Sequence, residues 1–249
     1  MARHSHWANI KHKKAKTDKV RGKVWGKCAR AIMVAAKHGG SDPETNLALR
    51  YAIDEAKFEN MPRDTIERAA KKGAGELGGA EYESVRYEGY GPGGVAVIVD
   101  ALTDNRTRTA GDVRSTFVKY AGNLGASGCV SYTFENKGVL TLLEADASED
   151  RLMELALESG AEDVSLDDGV WSITCVPTAF LGVKKAIEGA GLKLNSASVV
   201  WLPNSLTSAS GDTLAQVIKL IDALEDNDDV QKVYTNLDAS AQDLAALEA

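Results

Sequence analysis

The hydrophobic pattern of this chain changes character at one glycine-rich segment, residues 73–80. Before it, apolar residues recur at a spacing of three to four, which predicts helices. From Tyr82 onward, apolar and polar residues alternate, which predicts strands. Because glycine clusters between two patterns are typical of a flexible connection, we place a domain boundary here. Residues 1–80 are therefore expected to form a basic N-terminal arm and a helical domain.

Three helices are predicted in this first domain. The first covers residues 17–38, with Thr17 or Asp18 as its cap and two glycines as its stop. The second is expected to start at residues 41–44, where Pro43 suits a first helical position. The third runs from Pro62 to residues 71–73.

The next segment predicts two strands, a helix and a third strand. The strands cover residues 82–87 and 95–102, the helix starts at residues 103–105 and runs to Tyr120, and the third strand is expected over residues 129–134. Residues 89–94 match the G-x-G-x-x-G pattern of dinucleotide-binding loops. A strand follows them where that fingerprint needs a helix, so a turn between two strands is the better interpretation.

Residues 135–203 show the order β-α-β-β-α-β. Asp167-Asp168-Gly169 is a hairpin signal between the two central strands, and Thr178 is expected to cap the second helix. This succession is the ferredoxin-like split arrangement.

One further helix, at about 213–225, and one strand, at 230–235, follow. They cannot form a domain alone, but they would complete the half-built sheet of residues 81–134. We therefore predict an α+β fold: an N-terminal helical domain followed by two α/β domains. The second domain is discontinuous, 81–134 plus 204–249, and the third, 135–203, is inserted into it.

Charge is strongly segregated along the chain. Residues 1–37 hold eleven Lys or Arg against one acid, whereas the remainder holds 18 basic against 35 acidic residues. Dense positive charge suits a polyanion, because each contact with a phosphate releases a condensed counterion. Trp7 and Ile10 argue against a merely solubilising tail, and an aromatic among cations suits base stacking.

The candidate nucleic-acid contacts lie in the arm and on the first helix, whose cations we expect to project outward. They are Arg3, His4, Ser5, His6, Trp7, Lys11, His12, Lys13, Lys14, Lys16, Lys19, Arg21, Lys23, Lys27 and Arg30. Secondary phosphate contacts are Arg63, Lys71 and Lys72, together with Arg106 and Arg108 at a helix start. For the last two, an Asp/Asn cap with solvent-facing arginines is an equal alternative.

Nothing in the sequence requires a chemical step. All four histidines lie at or before position 38, so a histidine base is lacking in the acidic domains. The acidic runs at 167–168 and 226–229 are more typical of turns than of metal sites, which leaves a metal-dependent nuclease as a minor alternative. We expect no catalytic residue, no metal and no cofactor.

The cysteines and the hydropathy favour a cytoplasmic protein. The three cysteines are odd in number and far apart, which fits a reducing compartment. No apolar run approaches the roughly 18 residues of a membrane span, and no secretory signal is visible.

Several strings resemble the YebC/PmpR family. They are the basic start, residues 39–44, 60–64, 71–76, 87–94 and 103–109. The resemblance, which extends to mitochondrial translational activators of cytochrome oxidase, implies a helical domain and two α/β domains. It also implies two competing roles, a DNA-binding transcriptional regulator or a ribosome-associated factor that relieves stalling. Where the family start reads Gly-His-Ser-Lys-Trp, this chain has Arg3 and His6 in place of the glycine and the lysine.

From these observations we expect a monomeric, non-catalytic protein that binds nucleic acid. Ribosomal RNA, with the ribosome as partner, is favoured over duplex DNA because no helix-turn-helix is evident and an irregular arm suits folded RNA.

Overall fold

The computed structural model describes residues 18–78 and 81–248 and shows two compact units. One unit comprises Glu135–Leu202, and the other comprises Asp18–Phe134 together with the chain from Pro203 onward. The predicted fold class, α+β with an N-terminal helical region followed by two sheet-containing regions, is confirmed. Across residues 18–78 and 81–248, no helix is long and apolar enough to cross a lipid bilayer.

The helices and strands of the described residues are numbered here in chain order. They are α1 (Asp18–Gly39), α2 (Leu47–Phe58), α3 (Arg63–Gly73), β1 (Glu83–Tyr90), β2 (Ala96–Thr103), α4 (Arg106–Lys119), β3 (Asn123–Leu124), β4 (Phe134–Leu143), α5 (Glu149–Ser159), β5 (Asp163–Asp167), β6 (Val170–Cys175), α6 (Phe180–Gly189), β7 (Ser196–Pro203), β8 (Thr207–Ser208), α7 (Gly211–Glu225), β9 (Val230–Thr235), β10 (Leu237–Asp238) and α8 (Ala241–Glu248).

Helices α1 to α3 enclose a core of their own, centred on Ile32, Leu49 and Ile66. The predicted start of α2 at residues 41–44 is wrong, because Asp42 closes a turn there by accepting from the backbone N–H of Glu44 at 2.9 Å. Asn46 caps α2 instead. Its side chain accepts from the N–H of Leu49 at 3.1 Å and donates to the carbonyl of Ala35 at 2.8 Å. The cap therefore ties the start of α2 to the end of α1.

The sheet of the larger unit has the strand order β3-β1-β2-β9. Strands β1 and β2 form an antiparallel hairpin, and β9 pairs antiparallel with β2, so the chain returns to this sheet after residues 135–202. The predicted third strand over residues 129–134 is wrong. The two-residue β3 takes that place, residues 131–133 form a 3₁₀ turn, and Phe134 begins β4.

The two faces of this sheet differ in chemistry. On one face Gly89 leaves room for Phe117 of α4, which would lie 2.9 Å from a Cβ at that glycine. On the other face Arg86, Asp100 and Lys232 stand in one row across three strands, because Arg86 is paired with Asp100 and Asp100 with Lys232 in the strand register. The second face therefore carries a row of charged side chains beside the buried Ile98, and this polar row meets α2 through an ion pair between Lys232 and Glu55 at 2.8 Å.

The smaller unit has the strand order β5-β6-β4-β7, which is the order of a ferredoxin-like sheet. Its hairpin turns at Asp168 and Gly169, whose φ angles of 47° and 76° suit the tight turn that the sequence predicted. Thr178 does not cap α6, because the helix begins at Phe180 after Ala179 and has no side-chain cap. Leu140, Ile173 and Ile187 are fully buried in this unit.

Substitution of two glycines in the helical region tests the packing of α1 against α3, and the two substitutions should change stability in opposite directions. Gly26 lies inside α1 with only Arg30 Nη2, at 3.9 Å, near a Cβ at that position, whereas a Cβ on Gly73 would lie 2.2 Å from the carbonyl oxygen of Met33. We expect Gly26→Ala to raise the free energy of unfolding by about 0.5–1 kcal/mol, since alanine is the better helix former. Gly73→Ala should lower it by about 1–3 kcal/mol through overpacking. Urea denaturation checks both, and equal effects of the two variants would contradict this packing.

Candidate nucleic-acid interface

The residues of the predicted basic arm lie outside the described residues. These are Arg3, His4, Ser5, His6, Trp7, Lys11, His12, Lys13, Lys14 and Lys16. Lys19 and Arg21 fall in the first turn of α1. Binding of nucleic acid by these residues stays a prediction.

Three further predicted contacts share one face of α1 and meet the turn that follows α7. Lys23 pairs with the carboxylate of Asp226, and Lys27 Nζ donates to the carbonyl of Glu225 at 2.6 Å. Arg30 donates to the carbonyl of Asp228. The expectation that these cations project outward is wrong for Lys27 and Arg30, which are half-buried because the C-terminal end of a helix and the acidic turn after it attract positive charge. Lys23 is exposed, but it is paired with Asp226. Whether they also bind nucleic acid stays a prediction.

The centre of this contact is the carboxylate of Asp229, which directly precedes β9 and is only 12% exposed. Arg108 Nη2 donates to it at 2.6 Å and Thr109 Oγ1 at 2.7 Å, while Arg30 Nη1 lies 3.9 Å away. Burial raises the pKa of Asp229, but the hydrogen bonds and charge of Arg108 outweigh burial and hold the pKa below its ordinary value. The carboxylate therefore stays ionised and joins α1, α4 and β9.

The start of α4 contains the two arginines that were predicted as secondary phosphate contacts. Asn105 caps the helix by accepting from the N–H of Arg108 at 3.1 Å, as the alternative interpretation required. Arg108 also donates to Asp104 at 2.8 Å, and Arg106 lies 3.7 Å from a carboxylate oxygen of Glu83. Both guanidinium groups therefore have carboxylate partners within the protein.

Helix α3 carries exposed cations that, unlike the two arginines at the start of α4, mostly lack a carboxylate partner among the described residues. Arg63 pairs with Glu67 at 2.7 Å, but Arg68, Lys71 and Lys72 are exposed and form no ion pair with any residue of the described chain. We call these four cations the α3 basic face. Arg68 belongs to the same cationic patch that the sequence predicts, since its spacing of three and four residues from Lys71 and Lys72 places it beside them on a helix.

The helical region meets the polar sheet face beside a buried thiol. Lys232 pairs with Glu55, and although burial lowers the pKa of Lys232, the Glu55 carboxylate holds it above its ordinary value. Burial raises the pKa of the nearby Cys28 thiol to about 12. Since the thiolate is the reactive form, Cys28 acts as a buried apolar group rather than a nucleophile.

A second buried carboxylate, Glu88 on β1, was not found from the sequence. It is 3% exposed and accepts backbone N–H donors from Gly128 at 2.9 Å, Val130 at 3.0 Å and Ser131 at 2.9 Å. Burial raises the pKa of Glu88, but these three hydrogen bonds outweigh it and hold the pKa below the ordinary value. Glu88 thereby fixes the backbone of residues 128–131, which explains why this segment is not a strand.

The acidic turns do not gather into a metal site within the part of the chain that the structure describes. Over those residues, no three His, Cys, Asp or Glu side chains lie together as ligands of one ion. The carboxylates of Asp226 and Asp229 are instead partners of Lys23, Arg30 and Arg108.

By fold and surface, this is an α+β protein made of a helical region and two sheet-containing regions, and helix α3 carries a group of three exposed cations without an ion pair to any described residue. Residues 5–76 match the TACO1/YebC protein N-terminal domain, and residues 82–237 match the TACO1/YebC second and third domain. The chain belongs to the TACO1/YebC family, which confirms the resemblance seen in the sequence.

Several relatives align over nearly the whole chain. A probable transcriptional regulatory protein of Geobacter sulfurreducens is 49% identical over 99% of this chain and 100% of its own length. One of the same description from Halothermothrix orenii is 52% identical over 96% of this chain and 95% of its own. The crystal structure of a conserved hypothetical protein from Aquifex aeolicus superposes with a TM-score of 0.85 at 51% identity, covering 95% of this chain and 98% of that one.

Neutralising Asp229 should destabilise the larger unit. Asp229→Asn leaves Arg108 and Arg30 beside a neutral amide, so we expect the free energy of unfolding to fall by about 3 kcal/mol. Asp228→Asn is the matched control, because it removes the same charge from the neighbouring, exposed side chain and should change stability by less than about 0.5 kcal/mol. Urea denaturation at neutral pH measures both. Equal losses would show that Asp229 is not the junction.

Glu88 should contribute stability that depends on pH. Its folded-state pKa lies below the unfolded value of about 4.3, so its contribution is present above that pH and is lost as the pH falls through the folded-state pKa. Glu88→Gln should lower the free energy of unfolding by about 1–3 kcal/mol at pH 7. The difference from the unaltered protein should shrink steadily below about pH 4. A difference that is constant from neutral to acid pH would contradict this role.

Proposed function

We propose that this protein is a non-catalytic, nucleic-acid-binding regulator of gene expression that acts on the ribosome, where it contacts ribosomal RNA and relieves stalled translation. The observation that carries the proposal is the segregation of charge. Residues 1–37 hold eleven of the 29 Lys and Arg residues but one of the 36 acids. A cationic segment on an otherwise acidic chain suits a phosphate polymer.

The ion pairs of the described residues support a choice among the cations for this proposed role. Lys23, Lys27 and Arg30 contact the turn after α7, and Arg106 and Arg108 have carboxylate neighbours. The α3 basic face keeps three exposed cations without an ion pair to any described residue. We therefore propose that the arm and the α3 basic face together supply the phosphate contacts.

RNA is favoured over duplex DNA by the form of the basic segment. An arm that carries Trp7 and three histidines among its cations suits unpaired bases and irregular backbone better than the regular groove of a duplex. We place this activity in the cytoplasm and assign it to the monomer without a cofactor.

A DNA-binding transcriptional regulator is the second candidate. Two observations favour it: the curated relatives bear the description probable transcriptional regulatory protein, and α2 and α3 are joined by only four residues, 59–62. Connections of three to four residues are used in helix-turn-helix motifs. In this alternative the α3 basic face would contact the duplex backbone.

The salt dependence of binding tests which cations contact phosphate. Replacing Lys11, Lys13 and Lys14 by alanine, or Arg68, Lys71 and Lys72 by alanine, should each weaken RNA binding and lower the slope of log K against log salt by up to about 3. The matched control replaces Lys185, Lys193 and Lys219, which are also exposed, and should leave the slope unchanged. An unchanged slope in both test variants would mean that neither set contacts phosphate.

Two assays separate the candidate roles. Co-sedimentation with ribosomes that disappears on removal of residues 2–16 supports the translational role. A sequence-specific shift of duplex DNA that survives heparin competition, without ribosome binding, supports the transcriptional one. Flat titrations against ribosomes, structured RNA and duplex DNA at low ionic strength would overturn both.

A further inference from the structure

The loop between β3 and β4 is exposed yet tightly held. Gly125, Ala126, Ser127 and Gly128 all lie at the surface. Beneath them the carboxylate of Glu88 binds three backbone N–H groups, and the N–H of Gly125 donates to the carbonyl of Glu88 at 2.8 Å. A surface loop can connect two strands without a buried carboxylate beneath it. A backbone fixed in this way is expected where the loop must hold a side chain in one orientation.

The side chain that this loop presents is Tyr132. It is 71% exposed, and it is the one aromatic residue of the described chain whose side chain is mostly in solvent. Its hydroxyl lies 3.5 Å from the hydroxyl of Tyr90, and its backbone carbonyl accepts from Asn204 Nδ2 at 3.3 Å. Tyr90 in turn donates to the carbonyl of Cys129 at 3.0 Å. The ring is thus contacted at its hydroxyl edge, while most of its surface is exposed to solvent.

The electrostatic setting of the ring is unusual for this protein. Residues 121–134 contain no charged side chain, although charged residues make up 26% of the chain. The nearby carboxylate of Glu88 is buried and saturated with hydrogen bonds. No charged side chain on residues 121–134 therefore repels a polyanion, and the next carboxylate along the chain, Glu135, is paired with Lys137 at 3.4 Å.

We propose that Tyr132 is a stacking platform for an unpaired nucleobase. The proposal rests on the proposed function and adds to it a contact with bases rather than phosphates. A single rigid ring among glycine, alanine and serine offers one flat surface, which is what a base requires. Protein partners instead use apolar anchors within a larger complementary patch, and none of the other residues of this loop is a large apolar side chain exposed to solvent.

The test compares Tyr132→Ala with Tyr132→Phe on a short single-stranded RNA and on an abasic oligomer of the same length. Stacking on one base predicts about a 5- to 150-fold loss of RNA affinity for Tyr132→Ala. Tyr132→Phe keeps the ring and should bind within about twofold of the unaltered protein. The slope of affinity against salt should not change, since stacking releases no counterion. Val118→Ala, which trims another exposed apolar side chain, is the control and should have no effect.

Each result decides the matter. A loss on RNA that is absent on the abasic oligomer supports stacking. Undiminished RNA binding by Tyr132→Ala overturns the stacking proposal and would favour a protein as the partner of this ring. The phosphate contacts of the proposed function would be unaffected by that result. An equal loss on both oligomers, or a lowered salt slope, also overturns it, because the variant would then disturb phosphate contacts. No binding of either oligomer or of ribosomes by the unaltered protein overturns the proposed function and the stacking proposal together.

Discussion

One carboxylate, that of Asp229, fixes the relation between the helical region and the larger sheet. It receives Arg108 and Thr109 from α4 and lies 3.9 Å from Arg30 of α1, while its own backbone carbonyl accepts from Leu102 of β2 at 2.8 Å. The helical region has a separate apolar core, so burial of apolar surface alone does not set its position. Paired charges do, because a buried carboxylate is tolerated only where its donors are placed around it.

Glu88 applies the same principle to a loop. Both carboxylates are buried, and in both the hydrogen bonds lower the pKa by more than burial raises it, so both stay ionised. Both also constrain backbone whose position the sheet hydrogen bonds alone do not fix. Their difference lies in the donors. Asp229 is bound mainly by side chains from other elements and therefore joins parts of the fold, whereas Glu88 is bound by three backbone N–H groups of one short segment and therefore shapes that segment.

Local chemistry made much of this fold predictable. The nearly continuous apolar run of residues 95–102 and the Asp168-Gly169 turn are properties of neighbouring residues, and the strand and the turn were both found from the sequence. The contacts that were missed join distant residues: Lys23 and Asp226 are 203 positions apart, and Gly128 and Glu88 are 40 apart. A narrow apolar stripe on a helix predicts that its cations face solvent only when the fold places no acidic segment against that helix. Likewise, β3 has two residues and is too short to produce a periodic signal.

The distribution of these ion pairs determines how the protein should respond to ionic strength. Lys23 and Asp226 are 40% and 75% exposed, so salt screens them as it screens contacts with phosphate. Arg30 and Asp229 are 17% and 12% exposed and are screened much less. The pair of Arg30 and Asp229 should therefore keep joining the helical region to the sheet at salt concentrations that would displace a polyanion from exposed lysines. It follows that a salt titration of binding would report on the proposed phosphate contacts and not on separation of the helical region from the sheet.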